Sequence, residues 1–380
     1  MLPREAYFTM FLGSIPVAVI NFLLAIYVKY LGGNEILVGM AYASYSFFTV
    51  VSRPVSGYII DKGGLRGILY SGMISLIGGF FWLSGAPDPF HTVAAMALVG
   101  LGFGFVNVAL LVYITGLGGA SNPELYGELT SASALGGAVA AGIGFLFLTA
   151  SELFKEYVFS MKLIFLTYAL LCLLPGMYFV TKIRGIKLIE EHKYVNFSLL
   201  IYLLVATGLQ ATGSGISYPM IMPFLINKFH ATPFIVMLAY APSGTAWILV
   251  SRKAGNFIKK YGAKASYGLS TLLSAITVSL IPHVNSLITL SALWTLEAVG
   301  LSIWYVLLQA VVPKAGSSHV WGRAYGLQNM SYFAPYALGA LVGGILYSFV
   351  GVEVVFYTAA FFFLLAPVPL LIMKLKGIKL

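Results

Sequence analysis

The sequence predicts an all-α membrane protein with twelve transmembrane helices in two pseudo-symmetric six-helix bundles. Three observations support this class. Of the 380 residues, 59% are hydrophobic and only 9% are charged, whereas soluble domains carry about 25% charged residues. Twelve apolar runs approach or exceed the length that spans a bilayer as a helix, roughly 20 residues. The second half of the chain also repeats features of the first half at a nearly constant offset.

The twelve apolar runs fall into two sets of six around the longest polar connection. We predict helices at 6–30, 36–60, 67–86, 92–116, 128–150, 158–181, 195–227, 233–257, 265–282, 285–312, 324–349 and 353–373. An N-terminal bundle at 1–181, a linker at 182–194 and a C-terminal bundle at 195–380 follow from this division. In the seventh run, the segment Gly213–Ser217 precedes Pro219 and Pro223, which predicts a weak point that could hinge the helix.

The basic residues are distributed unevenly between the two sides that these helices define. With the N-terminus placed in the cytoplasm, 18 of the 22 basic residues lie on the cytoplasmic side, which is the bias expected for inner loops of membrane proteins. We therefore expect a multi-pass protein of the cell (plasma) membrane with both termini and the linker in the cytoplasm. The same bias accounts for the net charge of +10, so no nucleic-acid partner is expected.

The composition gives little support to metal or cofactor chemistry. The single cysteine, Cys172, lies in an apolar run, and the five histidines show no metal-like spacing. An intrachain disulfide and a thiolate metal cluster are therefore excluded. The chain also has no phosphate-binding loop of the ATPase type. We expect no metal, no cofactor and no enzyme activity.

Several features recur about 199 residues apart. Ser52–Arg53 matches Ser251–Arg252, and Tyr126–Gly127 matches Tyr325–Gly326. A duplicated unit of six helices keeps its orientation in the membrane because six is an even number. Parallel repeats of this kind are one of the plans of secondary transporters, in which the substrate binds near the midplane between the halves.

A motif after the second span carries a family resemblance. It reads SGYIIDKGGLRGIL and contains Gly57, Asp61, Lys62, Gly64 and Arg66. A degraded copy, AGNFIKKYGAK, ends the eighth span and has Lys259 in place of the acid. Motif, repeat and topology together resemble the major facilitator superfamily. The resemblance implies alternating access and a cavity lined by the first, fourth, seventh and tenth helices.

Two departures from that family bear on the type of transport. The fourth span, HTVAAMALVGLGFGFVNVAL, lacks the arginine that the family's proton-coupled exporters often carry there. The fifth span has Ala140–Ala141 where the family's antiporter signature has Gly-Pro. Both departures oppose proton-antiport drug export without excluding it.

The resemblance also implies a conformational gate at the cytoplasmic ends of the helices. Gly57 would let the second helix approach the eleventh. Asp61 would face Arg323, Arg66 and the N-terminus of the eleventh helix, where the helix dipole favours an acid.

The second copy of the motif implies a pseudo-symmetric contact between the eighth and fifth helices. Lys259 or Lys260 would pair there with Glu124 or Glu128. Ordinary charge at the membrane surface is the alternative for both contacts. Exposed pairs contribute only about 0–1 kcal/mol each, which is enough to bias two nearly balanced states.

Polar residues within the predicted spans are candidates for the cavity. Glu297 is the one carboxylate well inside a span, where an ionised acid costs about 2.5 kcal/mol or more. It could carry a proton, contact the substrate or serve as a structural acid between helices. For Arg53 and Arg252 we favour snorkelling to the cytoplasmic interface or pairing with nearby helices over binding of an anion. The candidate cavity residues are Asn21, Asn107, Gln210, Glu297, Trp304, Tyr305 and Gln309.

These features favour a secondary active transporter that moves a small solute by alternating access. The mixture of amides and aromatic rings suits an uncharged or weakly charged amphipathic compound. Efflux of such a compound, with or without protons as the coupling ion, is slightly favoured over uptake of a small metabolite. A non-transporting membrane sensor and an intramembrane enzyme are further alternatives. We expect a monomer whose partners are the substrate and the lipid bilayer.

Overall fold

The computed structural model describes residues 4–15, 20–118, 123–182, 197–311 and 321–375. Within these ranges the chain forms fifteen α-helices, so the predicted all-α class is confirmed. Ten helical spans in the described part are long and apolar enough to cross a membrane. With the helices of the first and seventh predicted spans, they form the twelve-span arrangement in two pseudo-symmetric halves.

The N-terminal half contains the first eight of these helices. They are α1 (Arg4–Ser14), α2 (Ile20–Tyr30), α3 (Glu35–Asp61), α4 (Leu65–Gly85), α5 (Pro89–Gly118), α6 (Pro123–Phe154), α7 (Tyr157–Leu171) and α8 (Leu173–Lys182). The C-terminal half contains the other seven. They are α9 (Phe197–Phe229), α10 (Pro233–Tyr261), α11 (Ala263–Leu280), α12 (Leu287–Val311), α13 (Trp321–Phe349), α14 (Val352–Leu365) and α15 (Val368–Leu375).

Three predicted spans are each built from two helices. The first predicted span contains α1 and α2, the sixth contains α7 and α8, and the twelfth contains α14 and α15. The break in the twelfth span falls at Pro367, which cannot donate a backbone hydrogen bond to the preceding turn. Nearly all of the predicted linker at 182–194 lies outside the described residues, so the domain boundaries stay a prediction.

The expected weak point in the seventh span is not seen as a break. α9 continues through Gly213–Ser217, Pro219 and Pro223. The glycines instead allow close packing, since a Cβ atom at Gly215 would lie 2.3 Å from the backbone oxygen of Tyr336.

Capping side chains fix the starts of two helices that carry the site. Asn34 accepts a hydrogen bond of 3.0 Å from the backbone N–H of Leu37 at the start of α3. Asp88 accepts one of 3.0 Å from the N–H of His91 at the start of α5. The His91 side chain also hydrogen-bonds Asp88 and holds the pKa of that carboxyl below its usual value. Such caps satisfy N–H groups that the helix itself leaves free.

Among the described residues, the two most extensive helix crossings between the halves are those of α3 with α13 and of α6 with α10. Glycine permits the close approach at both. A Cβ atom at Gly326 would lie 3.3 Å from the backbone oxygen of Arg53, and one at Gly127 would lie 2.7 Å from that of Ser251. Gly127 and Gly326 are repeat matches in sequence. The two crossings are therefore the same contact made once by each copy of the repeat.

Candidate functional site

Arg53 is a buried cation between the two halves. It lies on α3, eight residues before the end of that helix at Asp61, and 1% of it is exposed. The guanidinium carbon lies 4.4 Å from the centre of the Phe333 ring on α13 and 5.5 Å from the centre of the Phe103 ring on α5. Cation–π contacts of this kind are worth about 2 kcal/mol when the cation is desolvated.

Of the two structural roles expected for Arg53, its burial favours packing against neighbouring helices over snorkelling to the interface. Tyr45 also faces the guanidinium. Because Tyr45 lies eight residues farther from the Asp61 end of α3, the Arg53 side chain points toward the middle of the bundle. Its repeat-equivalent residue, Arg252, is exposed, as snorkelling predicts.

Tyr305 on α12 lies beside Arg53 and connects it to two amide side chains. Asn107 of α5 and Gln309 of α12 lie close to the Tyr305 hydroxyl. Asn107 is half-buried, and Gln309 is 4% exposed with an Oε1 atom that has no hydrogen-bond partner. The structure therefore brings three predicted cavity residues together around one buried cation, with side chains from both halves.

Glu297 lies near the middle of α12 and is completely buried. Neither carboxyl oxygen has a hydrogen-bond partner. Tyr218 of α9 lies beside the carboxyl group, and Ser214 lies beside Tyr218. The hydroxyl groups of Tyr218 and Ser214 also have no aligned partner. A carboxyl group without a partner at this depth is costly.

Tyr332 of α13 joins the two charged groups into one network. It lies beside Arg53, Tyr305 and Ser214, and it also faces Tyr218. Gln210 extends the network along α9, because it precedes Ser214 by one helical turn. The Gln210 side chain is fully buried, and neither of its amide atoms has a partner. We name this group the central polar cluster: Arg53, Asn107, Gln210, Ser214, Tyr218, Glu297, Tyr305, Gln309 and Tyr332.

The remaining predicted cavity residues lie at the margin of the cluster or outside the described side chains. Trp304 is 4% exposed, and its ring centre lies 5.5 Å from that of Tyr332. The side chain of Asn21 is outside the described part of the chain. The roles assigned to all seven residues stay predictions.

Sequence reasoning overlooked Tyr218 and Tyr332. The spacing of α9 carried a signal for the first of these, since Gln210, Ser214 and Tyr218 follow one another at intervals of four. Residues four apart lie on one face of a helix. The sequence of α13 offers no comparable signal for Tyr332.

A buried hydrogen bond joins the halves at the end of the bundle where α8 ends and α9 begins, which we call the linker end. The hydroxyl oxygens of Tyr126 on α6 and Tyr325 on α13 are 2.8 Å apart, and both residues are fully buried. The two tyrosines are 199 residues apart and are matches of the repeat. Their contact therefore lies on the pseudo-twofold axis between the halves.

An ion pair lies beside this hydrogen bond. The Nζ atom of Lys259 on α10 is 2.8 Å from an Oε1 atom of Glu124 on α6, with each side chain 48% exposed. The expected contact between the eighth and fifth spans is therefore present, through Glu124. Glu128, the other candidate acid, is half-buried one turn further along α6.

The structure leaves the other half of the predicted gate as a prediction. Gly57 is buried on α3, and Arg66 is exposed at the start of α4. The side chains of Asp61 and Arg323 lie outside the described part of the chain.

The opposite end, which we call the Glu35 end, also holds a polar contact between the halves. The Nδ2 atom of Asn227 on α9 lies 3.3 Å from Glu35 Oε1 and 3.3 Å from the hydroxyl oxygen of Tyr347 on α13. Lys29 Nζ is 2.9 Å from the same Glu35 oxygen. The halves thus contact each other at both ends, and the central polar cluster lies between the two contacts.

The chemistry of the cluster is that of a binding site. Among the residues that the structure describes, no group of three or more His, Cys, Asp or Glu side chains is placed to hold a metal ion. The cluster instead presents one cation, one carboxyl group, and several hydroxyl and amide groups beside aromatic rings. Such a set can bind and orient a small solute.

Two pseudo-symmetric six-span bundles with a buried polar cluster between them define a membrane transporter. Residues 203–377 match the sequence profile of the Major Facilitator Superfamily. Two solved structures of transporters share the fold over nearly the whole chain. The profile match to the second half of the chain and the shared fold confirm the resemblance to the major facilitator superfamily seen in the sequence.

The multidrug resistance protein MdtH of Blochmanniella floridana is 25% identical over 349 residues, which is 87% of this chain and 82% of that protein. The proton:xylose symporter XylE, solved with 6-bromo-6-deoxy-D-glucose, has a TM-score of 0.75 at 12% identity, covering 99% of this chain and 96% of its own. The human organic anion transporter MFSD10 (TETRAN) has a TM-score of 0.71 at 16% identity, covering 97% of this chain and 100% of its own. At these identities the two structures establish the fold alone.

Proposed function

We propose that the protein is a secondary active transporter of the plasma membrane that exports a small amphipathic compound in exchange for protons, with both termini in the cytoplasm. The observation that carries this proposal is the set of buried polar atoms without partners in the central polar cluster. Buried polar groups in proteins are nearly always hydrogen-bonded. Buried polar atoms without an aligned protein partner at the interface of two bundles are available to hydrogen-bond a bound solute.

Glu297 is the group that we assign to proton coupling. An ionisable residue inside the membrane is costly and is therefore kept for function. Among the described residues no cation is ion-paired with Glu297, and the titratable group beside its carboxyl is Tyr218 on α9. Protonation of Glu297 removes a buried charge, and release of the proton restores it. The proton and the substrate would then use the same cluster in turn.

Alternating access follows from the two sets of contacts between the halves. Opening the linker end separates Tyr126 from Tyr325 and Lys259 from Glu124, whereas opening the Glu35 end separates Asn227 from Glu35. Rocking of two repeat-related bundles about a fixed central site is the usual mode of such transporters. We assign the linker end to the cytoplasmic side, because it carries most of the basic residues.

Export is favoured by the sequence match to a multidrug resistance protein. MdtH is described as a multidrug resistance protein, and the match extends over most of both chains. The rings of Phe103, Phe333 and Tyr332 around the cluster also suit an amphipathic solute better than a strongly hydrated one.

Proteoliposomes with an acidic interior provide the test. A series of three naphthalene solutes serves as the probe, namely 2-naphthoate, 2-naphthamide and 2-naphthylmethylamine. We expect at least one of them to accumulate in vesicles with the wild-type protein beyond its level in protein-free vesicles, because outward proton flow drives exchange. Glu297→Gln should abolish this accumulation, while Glu353→Gln, which alters an exposed acid at the start of α14, should retain it. Equal accumulation by the wild type and Glu297→Gln would contradict the assignment.

Uptake of a hydroxylated metabolite is the second candidate. Both side-chain amide atoms of Gln210 and the Oε1 atom of Gln309 are buried without a hydrogen-bond partner. Side-chain amides of this kind bind sugar hydroxyl groups well. The fold shared with a proton:xylose symporter is compatible with this alternative. Accumulation of xylose or a related sugar in vesicles with an alkaline interior, with no response to the naphthalene series, would favour it over export.

A further inference from the structure

The guanidinium of Arg53 is a buried positive charge between the two halves. Its Nε and Nη1 atoms have no hydrogen-bond partner, and in the described part of the chain no carboxylate is ion-paired with it. An arginine stays protonated in proteins, so this charge cannot be removed by deprotonation. Removing a charge from water costs several kcal/mol, and the cation–π contacts with Phe103 and Phe333 offset only part of that cost.

The repeat shows that the fold does not require this burial. Arg252 occupies the equivalent position on α10, yet it is exposed. Arg53 differs because Phe103 and Phe333 cover its guanidinium, and Tyr45, Tyr305 and Tyr332 face it. Only one copy of the repeat therefore holds its arginine in the central polar cluster.

The surroundings of Arg53 define what it can bind. The Nε–H and Nη1–H donors without partners can each donate a charge-assisted hydrogen bond to a carboxylate oxygen. The rings of Phe103, Phe333 and Tyr332 provide an apolar wall next to those donors. A single guanidinium suits a single negative charge, and Glu297 in the same cluster disfavours a ligand with a second one.

We propose that Arg53 is the anion-binding residue of the central polar cluster and that the solute is a small aromatic monocarboxylate. The carboxylate lies on the free N–H groups of Arg53, and the apolar part of the solute lies against the aromatic rings. This inference rests on the proposed transport function and specifies its substrate class. It also links the two charged groups of the cluster, because Tyr305, Tyr332 and Tyr218 connect Arg53 to Glu297.

Equilibrium binding to the purified protein in nanodiscs tests this assignment without any gradient. The probes are 2-naphthoate, its neutral isostere 2-naphthamide and the cation 2-naphthylmethylamine. We expect 2-naphthoate to bind at least about tenfold more tightly than 2-naphthamide, since hydrogen bonds to a charged group have that effect or more. Arg53→Met should lose this preference, Arg53→Lys should keep part of it, and Arg252→Met, the repeat-equivalent control, should keep all of it.

A stability measurement separates a binding role from a structural one. Without ligand, Arg53→Met should melt at the wild-type temperature or above it, because the desolvation cost of the buried charge exceeds what its ring contacts return. Addition of 2-naphthoate should raise the melting temperature of the wild type and leave that of Arg53→Met unchanged.

Three results would overturn the inference. They are equal affinity for the three probes, absence of 2-naphthoate binding at millimolar concentration, and marked destabilisation of both Arg53→Met and Arg53→Lys without ligand. If 2-naphthoate binds through Arg53 but no probe accumulates in proteoliposomes, the binding site stands and the transport function fails. If the amide or the amine alone accumulates, the transport function stands and the assignment of Arg53 fails.

Discussion

Removing the hydroxyl group of Tyr126 tests whether the contact on the pseudo-twofold axis holds the linker end closed. A buried hydrogen bond contributes about 0.5–1.5 kcal/mol net, which corresponds to a change of about two- to thirteenfold in an equilibrium. The Tyr325 hydroxyl keeps a second acceptor in the variant, the backbone oxygen of Gln309 at 3.4 Å. We therefore expect Tyr126→Phe to raise the ratio of linker-end-open to linker-end-closed molecules by about two- to fivefold.

The same structure predicts how the partner variant behaves. Tyr325→Phe removes both the contact with Tyr126 and the contact with Gln309, so its effect should equal or exceed that of Tyr126→Phe. The effect of the double variant should be smaller than the sum of the two single effects, because both substitutions remove the contact that the two hydroxyl groups share.

Distances between spin labels at the linker end provide the assay. Cys172 is the only cysteine of the chain and is buried, so Cys172→Ser gives a background for labelling introduced cysteines. Lys62 in the N-terminal half and Lys260 in the C-terminal half are exposed and can carry the labels. The fraction of molecules with long label distances should rise in both tyrosine variants.

Tyr168→Phe is the matched control. The Tyr168 hydroxyl donates a hydrogen bond of 2.6 Å to the backbone oxygen of Ala140, and Tyr168 is fully buried. Both residues belong to the N-terminal half, so the variant loses a buried hydrogen bond that does not cross the interface. It should melt at a lower temperature with unchanged label distances. Unchanged distances in Tyr126→Phe and Tyr325→Phe as well would refute the assigned role of the axial contact.

Two further predictions concern the contacts between the halves. Gly39→Ala and Gly127→Ala should shift the label distances in opposite senses. The new Cβ atom at Gly39 would lie 2.5 Å from a backbone oxygen at the Glu35 end, and the one at Gly127 would lie 2.7 Å from a backbone oxygen at the linker end. Each clash of this kind costs about 1–3 kcal/mol. Glu124→Gln should open the linker end by about fivefold at most, since its pair with Lys259 is half-exposed and such pairs contribute about 0–1 kcal/mol. This effect should disappear in about 1 M salt, where charges are screened within roughly 3 Å.

Label pairs at both ends provide the readout for these variants. A shift of Gly39→Ala and Gly127→Ala in the same sense would show that the glycines act on general stability rather than on one end of the bundle. An effect of Glu124→Gln that persists in high salt would show that lost packing, and not lost charge, opens the linker end.

The architecture was predictable because apolar length is a direct physical requirement of the bilayer. Each predicted span contains helix in the described part of the chain, and the repeat matches at Tyr126 and Tyr325 identified equivalent positions. The same matches did not predict that these two tyrosines touch. A repeat offset identifies which residues of the two copies are equivalent, but it does not locate the symmetry axis that relates the copies. The sequence therefore does not distinguish a residue near the axis from one far from it.

The central polar cluster was predictable only in part. Glu297 could be identified because a carboxylate inside an apolar run is conspicuous. For Arg53 the sequence could not separate snorkelling from packing against neighbouring helices, because its distance from the helix end allows both. A better signal lay in the spacing on α3, where Thr49, Arg53 and Ser56 share one buried polar face. The contribution of Phe333 could not be foreseen, since it depends on the crossing of α3 with α13.

Substrate-driven proton movement tests the central claim most directly. Vesicles with the protein and a trapped pH indicator receive 2-naphthoate outside, with no initial pH difference. Proton exchange through Glu297 predicts that the interior becomes more alkaline as the solute enters, whereas passive entry of naphthoic acid makes it more acidic. Glu297→Gln should show only the passive acidification. Acidification alone in the wild type, or the same alkaline shift in Glu297→Gln, would contradict the account.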